Sequence, residues 1–280
     1  MTMATLAGAQ TLGVMPALVT ALLLGLIHGL VPDEHTWPIT FSYAVGSYST
    51  RGGLRAGLLF SLTFTLQRAI ACELAWLGLA HWMQNPWIER LLLIPIGLLM
   101  AIGGLLMRQR RNTRPSSLFS HILRIMPALH GFIAGWGFGA FALILYTTLA
   151  PVMPSPALGW LPGALFGLGT AIIQGLLGAL FGRMTQWRSL DPAQIRNLAT
   201  GTASRTLIWG GTAYLAAGCA ALAWPGLTDW QLATGWRIIG LRYIDLLLVL
   251  AIATVVGIGL GGFTLRLHAL TKRYAVQPGS

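Results

Sequence analysis

Apolar residues in this chain run in long blocks, with neither the two-residue alternation of a half-buried strand nor the narrow stripe of a soluble helix. Seven blocks, at residues 12–31, 54–80, 88–107, 125–150, 157–182, 198–223 and 241–265, each reach the roughly 20 residues that an α-helix needs to cross a bilayer. The pattern predicts an all-α fold, a polytopic membrane helix bundle of seven transmembrane helices. An eighth block, residues 37–48, is too short to cross and reads as the continuation of a broken first helix or as a re-entrant segment. No soluble domain is visible, so residues 1–280 read as a single integral membrane domain. A basic connection at 108–124, holding Pro115, Ser116 and Ser117, joins a half at 1–107 to a half at 125–280, the layout of a duplicated transporter.

Composition agrees with lipid as the solvent for these blocks. Hydrophobic residues make up 55% of the 280 and charged residues 9%, against roughly 25% charged in soluble domains; mean hydropathy is +0.69. So little polar surface cannot cover a water-soluble core, and the lipid bilayer is the expected partner. A formal charge of +11 raises the question of nucleic acid, yet no basic stretch is interleaved with aromatics on a soluble segment, and no nucleic-acid partner is expected. The arginines order the topology instead. Arg108, Arg110, Arg111, Arg114 and Arg124 place the third connection in the cytoplasm. Alternation then puts Arg51 and Arg55, Arg183, Arg188 and Arg196, and Arg266, Lys272 and Arg273 on the same side. Arg90, Arg237 and Arg242 fall outside. This is the charge pattern of a cytoplasmic (inner) membrane protein with its N-terminus outside and its C-terminus cytoplasmic. With no Lys or Arg before the first block, the N-terminus does not read as a cleaved signal peptide. Cys72 and Cys219 stand alone in apolar blocks, spaced for neither a dithiol relay nor a thiolate zinc site.

Ionisable side chains inside such blocks are costly, which makes them functional candidates. The densest group closes the first block, where His28, Gly29, Pro32, Asp33, Glu34, His35 and Pro38 fall within eleven residues. Pro32 clashes with the carbonyl of His28 and Pro38 with that of Glu34, and each removes a backbone donor. Freed carbonyls, imidazoles and carboxylates suit Ni²⁺, Co²⁺, Zn²⁺ or Mn²⁺. The competing reading is a polar surface loop in which Asp33 caps the following helix. The second span carries Thr63, Thr65 and Arg68, with Glu73 further out and, five residues on, pointing away from Arg68. The sixth repeats the spacing T-x-T-x-x-R as Thr200, Thr202 and Arg205. A duplication would turn both arginines and their hydroxyls inward; alternatively they pair with Asp33, Glu34 or Glu73 as struts. His130 opens the fourth span beside Gly131, Gly135, Gly137 and Gly139, and reads either as a structural histidine or as a ligand from a second helix. Gln174 reads as an interhelical hydrogen bond before an uncharged ligand. His81, His121 and His268 look interfacial, and Asp245 reads as a local partner of Arg242.

The run Leu24-Gly25-Leu26-Ile27-His28-Gly29-Leu30-Val31-Pro32-Asp33-Glu34-His35, followed by Gly57 and then Phe60-Ser61-Leu62, resembles the nickel/cobalt transporter family and its NicO-like relatives. In that family one span carries a His-x4-Asp-His signature and a Phe-Ser-Leu segment opens the next helix. The resemblance implies multi-span transport of a divalent transition cation, nickel or cobalt first, with His28 and Asp33 as ion ligands. Glu34 stands where the signature's last histidine falls, with His35 one position later. Thr63-Phe64-Thr65 stands where the family has Gly-His-Ser.

Together these readings predict a secondary transporter or permease for a divalent transition metal, carried as substrate with no resident cofactor. His28, Asp33, His35 and Glu34 would capture the ion and His130 would complete its shell. An alternative is an exporter of a small anion or organic acid held by Arg68, Arg205 and the threonines, with the His28 group handling protons. Another is a membrane partner in metallocentre assembly. No H-E-x-x-H helix and no serine nucleophile with its base is present, so no enzymatic activity is expected. Nothing in the sequence specifies an oligomeric state.

Overall fold

A computed structural model describes residues 12–33, 36–112, 117–186, 190–239 and 241–275, which are almost wholly helical. The first helix, α1 (Val14–Leu30), is followed by the short α2 (Trp37–Gly46). Next come α3 (Thr50–Leu74, extended by a π segment Ala75–Leu79 and a last turn Ala80–Met83) and α4 (Pro86–Asn112). Two shorter helices follow, α5 (Ser117–Ala134) and α6, which opens as Ala140–Ile144 and passes into the π turn Leu145–Leu149. The long α7 (Leu161–Met184) and α8 (Pro192–Ala223) pack beside them. A small antiparallel hairpin, β1 (Gln231–Ala233) and β2 (Tyr243–Asp245), pairs Gln231 with Asp245. It leads into α9, which begins as Leu246–Ile252, widens through Ala253–Gly261 and ends as Gly262–Ala275.

Five of these helices are long and apolar enough to cross a membrane: Thr50–Met83, Pro86–Gln109, Pro156–Met184, Pro192–Ala223 and Leu246–Lys272. The chain is an all-α, multi-pass bundle. Its surface is inverted relative to a soluble protein. On α3, Leu58, Leu62 and Leu66 are exposed while Phe60, Phe64, Gln67 and Arg68 are buried, the arrangement lipid demands.

Several expectations are redrawn. The fourth apolar block is not one helix but two, α5 and α6, separated at residues 135–139, where Gly135, Gly137 and Gly139 weaken helical continuity. The 108–124 connection is mostly helix, because α4 runs to Asn112 and α5 starts at Ser117; Arg114 and Pro115 lie outside the described residues. The seventh block starts at Leu246, since residues 241–245 enter the hairpin. Asp245 caps α9, its Oδ1 accepting from the Leu248 N–H at 2.8 Å, while the Arg242 guanidinium lies over the Tyr243 ring.

Small residues set the helix spacing. A Cβ on Gly53 or Gly57 of α3 would collide with the carbonyls of Gly178 or Gln174 on α7, and one on Gly178 or Gly182 would strike Gly53 or Ser49 in return. Gly97 and Gly211 make the same contact between α4 and α8. Backbones can approach so closely only where no side chain intervenes. At the start of α8, Asp191 and Gln194 form a capping box, with Asp191 Oδ1 accepting from the N–H groups of Ala193 (2.8 Å) and Gln194 (2.9 Å).

The ten residues of α2 span about 15 Å. Every side chain from Pro38 to Val45 is buried, so α2 packs inside the bundle at about half the length that a bilayer crossing needs.

Candidate functional site

Pro32 stops α1, and the chain turns before α2 begins. In that turn the Asp33 carbonyl accepts from the N–H groups of Thr36 (3.3 Å) and Trp37 (3.1 Å). The Gly29 carbonyl, orphaned at the end of α1, accepts from Trp37 Nε1 (3.3 Å) and from Gln174 Nε2 (3.2 Å) on α7. The break is therefore braced from two sides. It holds the His28 Nδ1 at 3.8 Å from the Asp33 Oδ2, with His28 only 3% exposed. The imidazole lies among three phenylalanines, with ring centroids at 5.6 Å (Phe64), 5.1 Å (Phe141) and 5.1 Å (Phe166). Glu34 and His35, the other two ligand candidates of this cluster, lie outside the described residues.

Arg68 reaches the same aromatic group from α3. Its guanidinium carbon sits 4.9 Å from the Phe64 centroid and 5.8 Å from that of Phe166. Nη1 donates to the Tyr146 hydroxyl at 2.6 Å and Nη2 to the Gly137 carbonyl at 3.0 Å, so Arg68 secures the gap between α5 and α6. Nε has no partner, and among the described residues no carboxylate lies within ion-pair distance of this 5% exposed side chain. The expected strut to Asp33 or Glu73 is replaced by a hydroxyl and a carbonyl. Glu73 is half-buried against Gly159, with Oε2 unpartnered.

His130 is buried on α5. A carbonyl can only accept, so Nδ1–H donates to Met126 O (2.9 Å) and the lone pair rests on Nε2, which has no partner. A backbone acceptor fixing one ring nitrogen is how ligand histidines are often oriented. The Tyr43 hydroxyl of α2 lies 3.3 Å from the same Nδ1. Among the described residues no three His, Cys, Asp or Glu side chains converge into one metal-ligating group, so His130 stands apart from the His28–Asp33 pair.

The two T-x-T-x-x-R motifs are not equivalent. Thr63 donates to the Ala128 carbonyl (2.6 Å), joining α3 to α5, and Thr65 donates to Ser61 O (2.7 Å). On α8, Thr200 donates to Arg196 O (2.6 Å), Thr202 is buried, and Arg205 faces outward. Arg68 points into the bundle and Arg205 does not.

Unmet hydrogen-bonding capacity gathers on the inward faces. Thr36, Thr40, Ser61, Arg68 Nε, His130 Nε2, Gln174 Oε1 and Thr202 are buried polar groups with no protein partner. Buried polar atoms left this way call for water or an ion. Gln67, Tyr146, Tyr43 and the three phenylalanines escape a motif reading. Phe64 carried a local signal, four residues from Arg68 on one helix face, but Phe141 and Phe166 are far away in sequence.

Two cavities lie at opposite ends of α4. One, about 200 Å³, is lined by Tyr43, Ser47, Arg55, Met107, Arg124 and Thr200. The other, about 270 Å³, is lined by Glu89, Arg90, Thr228, Asp229 and Asp245, with Arg90 Nη2 at 3.5 Å from Asp229 Oδ1. The first is basic and the second acid-rich. Comparison with known protein families, with curated proteins and with solved structures finds no match to this chain.

Proposed function

We propose that this chain is a secondary membrane transporter for a divalent transition-metal ion, nickel or cobalt first, with His28 and Asp33 at the core of the ion site. The reading rests on one observation above the others: an imidazole and a carboxylate held together at a helix break inside a multi-pass bundle. The unmet polar atoms on the surrounding inward faces and the resemblance at residues 24–62 support it. In this reading Glu34 and His35 add ligands from the turn, and His130 serves the ion at a second station. The chain crosses seven times in an inner membrane, with α1 as the first crossing and α5 with α6 sharing the fourth, its N-terminus outside.

The test is ion flux in proteoliposomes. His28→Phe fits an aromatic ring among Phe64, Phe141 and Phe166 but removes the ligand nitrogens, and Asp33→Asn removes the charge. Both should fall at least tenfold in Ni²⁺ and Co²⁺ flux at unchanged folding. Wild-type flux in both variants would sink the site.

Arg68 favours a second reading, carriage of a small anion or organic acid, because its buried charge has no carboxylate partner. Arg68→Gln separates the two readings. A cation carrier keeps metal binding at His28, whereas an anion carrier loses substrate binding.

A further inference from the structure

The basic cavity is lined by neither His28 nor Asp33. Five helices converge on it: α2 through Tyr43 (with Ser47 just past its end), α3 through Arg55, α4 through Met107, α5 through Arg124, and α8 through Thr200. It is therefore walled by several helices, with Arg55 and Arg124 at its exposed rim. Its roughly 200 Å³ exceeds several water shares of about 30 Å³, enough for one tetrahedral oxyanion.

Its charge is one-sided. Among the described residues no carboxylate lines it, and neither Arg55 nor Arg124 has a hydrogen-bond or ion-pair partner. The Ser47 and Thr200 hydroxyls already donate to the carbonyls of Ala44 and Arg196, at 2.7 and 2.6 Å. An incoming group thus meets two guanidinium forks, on the neighbouring helices α3 and α5, as the free donors. Arginine forks match tetrahedral oxyanions and repel a bare cation. At the inner wall Tyr43 closes the space, its hydroxyl held by His130 and packed against Gly103.

We propose that this cavity is a binding site for a phosphate-class oxyanion, supplied as free phosphate or as a phospholipid headgroup, gripped between Arg55 and Arg124. The site stands independently of the metal reading, since neither gripping arginine is among the proposed ion ligands.

The test uses the full chain in nanodiscs. In discs of phosphatidylcholine, calorimetric titration with inorganic phosphate should show saturable binding. Arg55→Gln/Arg124→Gln should weaken it at least about tenfold, since both charge-assisted donors are lost. Arg51→Gln, an exposed arginine outside the cavity, should leave it unchanged. If phosphate does not bind but discs containing phosphatidylglycerol yield a co-purifying lipid that the double variant loses, the headgroup is the natural source. Equal binding in wild type and double variant, or no saturable binding in either arm, overturns the proposal. Both substitutions are at exposed positions, so the variant is expected to fold; its thermal midpoint in zwitterionic discs checks this.

Discussion

Arg68→Met against Arg68→Lys tests whether a buried, unpaired guanidinium is what the fold holds at its centre. Methionine removes two charge-assisted hydrogen bonds, to Tyr146 and Gly137, worth about 1.5–3 kcal/mol each. It also removes contacts with the Phe64 and Phe166 faces worth roughly 0.5–2 kcal/mol. Against these losses stands relief from burying a charge with no carboxylate nearby, several kcal/mol. The terms nearly cancel, so the Met variant should unfold within about 5 °C of wild type, at a few degrees per kcal/mol. Lysine keeps the charge but lacks the fork, so it cannot serve a hydroxyl and a carbonyl in the same geometry. It should be the less stable of the two. Thermal unfolding can be followed with a thiol-reactive dye reporting fully buried Cys72, after exposed Cys219 is replaced by serine. A Met variant far below the Lys variant would show that the fold compensates the charge, and the reasoning would fail.

Two further outcomes test the packing. Gly57→Leu drives a side chain into the Gln174 carbonyl and should abolish monodisperse protein on size exclusion, while Gly257→Ala, with nothing within 4 Å, should behave as wild type. Asp191→Ala removes the capping box of α8 and should cost about 1 kcal/mol, read as a midpoint a few degrees lower and faster hydrogen exchange at Ala193 and Gln194.

Apolar block length exposed most of the architecture to reading, because crossing a bilayer demands a fixed run of residues whatever the neighbours are. It could not locate the gap between α5 and α6. Nothing in the apolarity of residues 125–150 encodes a break whose carbonyl is satisfied by a guanidinium 69 positions away. The His28–Asp33 approach was legible, since Pro32 between them forces the turn locally. Arg68 as an intramembrane charge was also legible, but Tyr146, 78 residues off, was not. The T-x-T-x-x-R spacing misleads for Arg205 because spacing fixes which residues share a helix face and not which face is packed. On α8 the packed face follows Gly210 and Gly211, and Arg205 is left outside.

Along α7, Gly163 packs on the Arg68 carbonyl and Ile173 on Gly29, so the level of Arg68 and the end of α1 differ by ten residues, about 15 Å. The Arg68 backbone and Asp33 thus lie at different heights on the two sides of the His28 ring. Under the metal reading proposed above, a dication at His28 would be drawn toward Asp33 and repelled by Arg68, which would tilt the barrier it must climb. On that reading, reversed gradients of equal size should drive unequal currents, a rectification set by one arginine and one aspartate.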